Sequence, residues 1–255
     1  MRLKDKVALV TGGSRGFGAS IVRLFHREGA SVVIADVRDE EGQALAASLG
    51  ARASYQRLDV TCEADWIRVV AATEAAFGGL RILVNNAGVF RTKPLLETSL
   101  QDYQLTIGIN QTGTFLGIRH SVPAMRAAGG GSIVNIASTA GLEGVSHALP
   151  YTASKHAVIG MTRAAALEIA AYGIRINALC PGGMLTPLIA ESYQVPLESL
   201  VGMDMPTAPM RRMGTPDEIA GTVLFLASDE ASYTTGSVFT ADGGLTAGIY
   251  SPPRL

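Results

Sequence analysis

The sequence predicts an α/β fold: one doubly wound domain spanning 1–255, with a seven-stranded parallel sheet and helices on both faces. Three observations carry that expectation. Short β-branched runs alternate along the whole chain with longer Ala-, Glu- and Arg-rich stretches of helical period. Hydrophobic residues make up 47% of the 255 residues and charged residues only 17%, enough apolar material for a large core and too little charge for long disordered tails. A glycine-rich turn directly follows the first strand-like run, where a fold of this kind binds phosphates.

The strands are read in order as VALV (7–10), SVVIAD (31–36), ASYQRLDV (53–60), RILVNN (81–86), SIVNIAS (132–138), IRINALC (174–180) and SVFTADGG (237–244). Helical stretches separate most of them, such as ASIVRLFHREG, which Gly29 stops. Strand–helix alternation implies right-handed crossovers, and a parallel sheet must bury both surfaces, so helices cover each face. Neither a fixed-period repeat nor a Pro/Ser linker divides the chain, which leaves one domain. One region is irregular. Residues 185–215 lie in a stretch with prolines at 181, 187, 196, 206, 209 and 216 and a cluster of methionines, and read as a substrate-binding lid within the domain.

Charge and cysteine usage exclude several classes of function. The formal net charge is -1 and no Lys/Arg run exceeds two residues, so the basic footprint of a nucleic-acid binder is missing. Cys62 and Cys180 are too few for a disulfide framework, and the apolar run in MRLKDKVALVTGG is too short for a signal-peptide core. With no apolar stretch of membrane-spanning length, the expectation is a soluble, cytoplasmic protein. The four histidines (26, 120, 147, 156) form no ligand-spaced pair, so no metal is expected.

In VALVTGGSRGFGAS, Gly12, Gly13, Gly16 and Gly18 sit between the first strand and the following helix. Glycines let the backbone approach a diphosphate while helix N-terminal amides face its charge. The spacing differs from G-x-G-x-x-G. Asp36 ends the second strand 18 residues after Gly18, near the offset at which a carboxylate binds the adenosine ribose 2′-OH and repels a 2′-phosphate. Arg15 and Arg38 argue for NADP, but the weight falls on NAD.

YTASK places Tyr151 and Lys155 one helical turn apart on one face, with Ser154 and His156 pointing elsewhere. An ammonium about 4 Å away at an effective dielectric near 20 contributes about 4 kcal/mol, roughly three pKa units. Desolvation offsets part of that. The phenol is thereby expected near physiological pH, where a general acid/base works best. Ser138 ends the fifth strand, and strand C-termini are where such sheets put ligands. His147, four residues before Tyr151, is read as lining the substrate pocket.

TGGSRGFG (11–18), LDV (58–60), NNAG (85–88), Asn110, Ser138, YTASK (151–155) and PGGMLT (181–186), in this order, resemble the short-chain dehydrogenase/reductase family in its compact form. The resemblance covers nearly the whole chain and implies a Rossmann-type NAD-binding domain. It implies a catalytic set of Asn110, Ser138, Tyr151 and Lys155. Lys155 would also hold the nicotinamide ribose, and Asn110 would fix a water chain carrying the proton to solvent. The cofactor would lie along Gly12, Ser14, Arg15, Gly16, Phe17 and Gly18, with Asp36 and Val37 at the ribose and Asp59 and Val60 at the adenine. Asn86, Ala87 and Gly88 would line the groove together with Pro181, Gly182 and Met184, and Thr186 would contact the carboxamide.

Ala140, Val145, His147, Leu188, Ile189 and Tyr193 are the substrate-pocket candidates. The stretches ADVRDEEGQALAASLG, YQRLDVTCEADWIRVV and PAMRAAGGGSIVNIAS look like bacterial 3α/20β-hydroxysteroid dehydrogenases, although they belong to the scaffold. The lid holds many Leu, Ile, Val and Met residues but only Arg211 and Arg212 as cations. A small apolar substrate follows, a hydroxysteroid, terpenol or other cyclic secondary alcohol. A 3-oxoacyl-thioester reductase is the alternative and a non-catalytic NAD-binding regulator a remote one. Members of the family are commonly homotetramers.

Overall fold

The computed structural model describes residues 1–251, and 252–255, which the domain reading included, lie outside the described residues. Seven parallel strands form one sheet in the order β3-β2-β1-β4-β5-β6-β7. They are β1 (Val7–Thr11), β2 (Ser31–Asp36), β3 (Ala53–Arg57), β4 (Ile82–Asn85), β5 (Gly131–Ile136), β6 (Ile174–Pro181) and β7 (Val238–Ala241). The helices are α1 (Gly16–Arg27), α2 (Asp39–Leu49), α3 (Glu63–Phe77), α4 (Leu100–Ile107), α5 (Gly113–Ala127), α6 (Leu149–Ile169), α7 (Pro187–Tyr193) and α8 (Pro216–Ala227). The doubly wound expectation is met strand for strand.

Why the strands read as continuous apolar runs is visible in their two faces. Ala8 and Val10 of β1, with Val32 and Ile34 of β2, pack against α1 and α8 through Ile21, Val22, Phe25 and Val223. The intervening Leu9, Val33 and Ala35 pack on the opposite side against Trp66 and Val69 of α3 and Leu116 of α5. Alternate residues point to opposite faces, and both faces are covered, so neither set can be polar.

Four strands, β3, β4, β5 and β7, stop short of their sequence-read ends, each for a local reason; β5 ends at Ile136, ahead of the turn that Ser138 starts by accepting from Ala140 N (3.1 Å). β3 ends at Arg57, and the following turn is held by Asp59, whose carboxylate accepts from Thr61 N (2.9 Å) and Oγ1 (2.8 Å). β4 ends at Asn85 because Asn86 turns its side chain back onto Thr11 O (2.9 Å) and Gly12 O (3.0 Å). Beyond β7, Asp242 closes a turn by accepting from Gly244 N and Thr246 N, both at 2.9 Å. The Asn86 bonds lie at the point where strand order reverses, between β1 and β4, and so brace the crevice in which such sheets hold ligands.

Between α4 and α5, residues Gly108–Thr112 form a π-helical turn, a local widening that appears mostly at functional sites. The segment 185–215 holds α7 and a short 3-10 turn, Leu197–Leu200, and is tied to the body by a bridge from Met184 to Gly214. Among the described residues no helix is long and apolar enough to cross a membrane.

Candidate active site

A groove of about 440 Å³ runs along the C-terminal ends of the strands, from Asp36 to Tyr151. Its floor is the glycine-rich turn, and two contacts show why glycine is required there. Gly12 has φ +61°, and a Cβ on it would lie 2.9 Å from Ala87 Cα. A Cβ on Gly18 would fall 2.0 Å from Gly12 O, closer than any side chain tolerates. The bare backbone leaves room for a diphosphate beside the first amides of α1, whose dipole favours negative charge.

At one end of the groove the Asp36 carboxylate is positioned by three backbone donors: Ser14 N (3.0 Å), Val37 N (2.8 Å) and Arg38 N (3.2 Å). Both arginines that favour a 2′-phosphate are already engaged. Arg38 pairs with Glu41 at 3.2 Å, and Arg15 makes a two-pronged pair with Glu191 of α7, which raises the arginine pKa and lowers that of the glutamate. That second pair also clasps the lid to the glycine-rich turn.

At the other end stand Ser138, Tyr151 and Lys155. The strand end carries Ser138, whose Oγ accepts from Ala140 N (3.1 Å) and so starts a 3-10 turn. Lys155 is buried and donates from Nζ to Ile136 O (2.8 Å), while Nζ lies 5.5 Å from the centroid of the Tyr151 ring. Phe90 meets that ring edge-on, with centroids 4.7 Å apart. Tyr151 and Lys155 therefore share one side of α6, as their spacing predicts. Burial, however, pushes the Tyr151 phenol up, with Ser138 pulling the other way, and pushes Lys155 down to about 8. The lysine at this distance does not offset the desolvation, so the lowered phenol expected from the sequence is not a property of these side chains alone.

Asn110, read as part of the catalytic set, lines neither this groove nor the cavity beside it. Its amide is occupied: Oδ1 accepts from Val89 N (2.8 Å), and Nδ2 donates to Val89 O (3.0 Å) and to Ser154 Oγ (3.1 Å). Ser154 in turn donates to Tyr151 O (2.7 Å). Asn110 is held in the widened π turn and ties the groove wall at Val89 to the helix that carries Tyr151. A Cβ on Gly88 would lie 3.3 Å from Asn110 Oδ1 and 3.8 Å from Lys155 Nζ, so the glycine keeps open a gap between them. The sequence reading set Ser154 aside as pointing elsewhere, and its Oγ instead links Asn110 to Tyr151 O; the signal was a mid-helix serine, a residue type that bonds backward to the i−3 or i−4 carbonyl. Ser154→Ala is expected to lower stability by about 1 kcal/mol and turnover several-fold, because Asn110 loses one acceptor in a buried network. Thermal melts together with kcat read both effects.

The remaining cofactor candidates, Gly12, Arg15, Gly16, Phe17, Gly18, Asp36, Val37, Asp59, Val60, Asn86, Ala87, Gly88, Pro181, Gly182, Met184 and Thr186, line the groove. Ser14 does not, since it is buried under the turn and serves Asp36. Of the substrate candidates, Leu188 and Ile189 line the groove, and His147 with Leu188 lines the adjoining cavity. Ala140, Val145 and Tyr193 line neither: Ala140 is buried behind Ser138, and Val145 and Tyr193 are exposed. The Met-rich lid also differs from expectation. Ala190, Leu200 and Met213 form a small core of their own with Leu185, Leu197 and Met205, so these residues hold the segment together and line neither cavity. Groove residues not read from sequence include Val89, Ile109 and Pro187.

A glycine-floored crevice at the switch point, with a carboxylate at one end and a Tyr–Lys pair at the other, defines a nicotinamide-nucleotide oxidoreductase. The chain belongs to the short-chain dehydrogenase/reductase family, whose model described as enoyl-(acyl carrier protein) reductase matches residues 12–246. Three relatives more than 40% identical to it are named as dehydrogenases of ring-bearing alcohols. A 3-alpha-(or 20-beta)-hydroxysteroid dehydrogenase of Mycobacterium tuberculosis is 46% identical, covering 97% of this chain and 92% of the relative. A 2,5-dichloro-2,5-cyclohexadiene-1,4-diol dehydrogenase of Sphingobium indicum is 42% identical over 97% and 99% of the two chains. A trans-4-hydroxycyclohexanecarboxylate dehydrogenase of Sinomonas cyclohexanicum is 41% identical over 97% and 95%. The protein is thus an oxidoreductase acting on CH–OH groups.

Proposed function

We propose that the protein interconverts an apolar cyclic secondary alcohol and its ketone with NAD, using Tyr151 as general acid/base. The observation that carries this reading is the convergence of Ser138, Tyr151 and Lys155 at the opposite end of one groove from Asp36. The residues fit the cofactor: the close packing that only glycine allows at Gly12 and Gly18 puts bare turn backbone on the groove floor, and Asp36 lines the same groove. When bound, the nicotinamide ring supplies the hydride acceptor for oxidation and the donor for reduction.

In oxidation, Tyr151 Oη takes the carbinol proton while Ser138 Oγ holds the substrate oxygen, and in reduction Tyr151 returns the proton. Lys155 spends one of its three hydrogens on Ile136 O and has two left for the phenolate and the nicotinamide ribose. With its pKa near 8, it is mostly cationic at neutral pH. Tyr151, raised by burial, would have two cations to favour its phenolate, Lys155 and an oxidised nicotinamide ring. The gap beside Gly88, between Asn110 and Lys155, is where a water chain would carry the proton outward.

Relatives acting on hydroxysteroids, cyclohexadienediols and hydroxycyclohexanecarboxylates support a ring-bearing substrate, and α7 acts as its lid through Leu188 and Ile189. An acyl-carrier substrate finds little support, because Arg211 is paired with Asp204 and Arg212 with Glu218. A cytoplasmic homotetramer completes the reading. The outer face of α6, where Leu167 is 88% exposed and nothing lies within 4 Å of a Cβ built on Gly160, suits close packing on a second copy. The test is NADH absorbance with hydroxysteroids, bicyclic terpenols, cyclohexanols and 3-hydroxyacyl thioesters, with NADP in parallel. Turnover of ring alcohols with NAD is expected; turnover confined to thioesters with NADP would overturn the reading.

A further inference from the structure

Beside the Tyr151 end of the groove lies a second cavity of about 430 Å³, sharing Val89 and Leu188 with the first. Phe90, which packs on the Tyr151 ring, and Pro150, two residues into α6, line its near side. A substrate whose carbinol sits at Tyr151 therefore has this cavity as the place for the part of the molecule remote from the reacting carbon. Its two walls are tied together by Lys93 N donating to His147 O (2.7 Å), which holds His147 at φ +60°. Non-glycine residues in that region are strained and persist where surrounding structure over-determines them.

The cavity is lined by an unusual balance of charge. Asp102 is matched by Lys93 at 2.9 Å, and Glu191 is matched by Arg15. Arg91 also lines it and has no ion-pair or hydrogen-bond partner among the described residues. The Ser192 hydroxyl, another lining residue, is shielded from solvent and likewise has no partner among them. Arg91 thus stands uncommitted at a cavity whose carboxylates are already neutralised.

We infer that this cavity is the distal subsite for the substrate and takes a carboxylate on the ring or its side chain, held by Arg91. The inference rests on the cyclic-alcohol reading and deepens it by adding an anionic group. One planar guanidinium matches a carboxylate with two parallel bonds. A phosphate dianion would carry a second charge for which Asp102 and Glu191 leave no free cation.

Binding of cyclohexanecarboxylate and of the neutral cyclohexanecarboxamide, measured by calorimetry on the NADH-bound protein and on the protein alone, tests it without requiring turnover. At low salt the carboxylate is expected to bind at least tenfold more tightly, Arg91→Ala to erase that difference, and Arg91→Lys to restore part of it. Arg91 sits exposed on a loop, and an unchanged melting temperature will confirm that the variants fold. Equal binding of the two probes, no binding of either, or a preference that survives Arg91→Ala overturns the subsite. Carboxylate preference in a protein that oxidises no ring alcohol would leave the subsite standing and remove the proposed reaction instead.

Discussion

Tyr151→Phe should lower alcohol oxidation about 10³-fold while NAD affinity stays within a few-fold, because general acid–base transfer contributes roughly 10² to 10⁴. The change removes one oxygen and keeps the ring that packs on Phe90, so the groove keeps its shape. Rate and cofactor titration together separate the outcomes: a variant that binds NAD but retains wild-type turnover would show that another group moves the proton. The same group sets a pH profile. Burial raises the phenol, and oxidation needs it deprotonated, so oxidation should climb as pH rises above neutrality while ketone reduction, which needs the proton, falls. Lys155 loses its charge as pH passes about 8, so the climb should flatten above that point as the phenolate loses its nearest cation.

How much of this was legible in the sequence depends on whether a residue acts through its neighbours along the chain or across it. The strand–helix alternation, the glycine turn and the Tyr151–Lys155 face follow from residue pattern and from 3.6-residue periodicity, which are local. Asn110 and Ser154 were not legible as a pair, since they lie 44 residues apart and meet only because the π turn swings Asn110 toward α6. The Met-rich lid misled for a related reason. Apolar composition reports that a segment buries something, but not whether it buries a ligand or, as with Leu200 and Met213, itself. The extent of desolvation at the phenol was not legible, because its pairing with Lys155 is readable from spacing whereas burial needs the whole site around it.

Asp36 is the residue on which coenzyme choice should turn. A 2′-phosphate about 4 Å from its carboxylate, at an effective dielectric near 20, meets about 4 kcal/mol of repulsion per charge pair, an upper figure of roughly 10³-fold. Solvent at the groove mouth screens part of that, so wild-type kcat/KM is expected to favour NAD over NADP by about 10²-fold. Asp36→Ala removes both the ribose acceptor and the repulsion, and should narrow the ratio to within about tenfold, mostly through lost NAD efficiency. It also strips the acceptor from Ser14 N, Val37 N and Arg38 N, which costs about 1 to 3 kcal/mol for each donor left unpaired and should appear as a lower melting temperature. Adding Glu191→Gln frees Arg15 from the lid, giving a 2′-phosphate a guanidinium where it had a carboxylate, and should turn the preference toward NADP. If Asp36→Ala leaves the ratio at its wild-type value, the choice is made elsewhere in the groove and the three backbone donors serve only to close the turn.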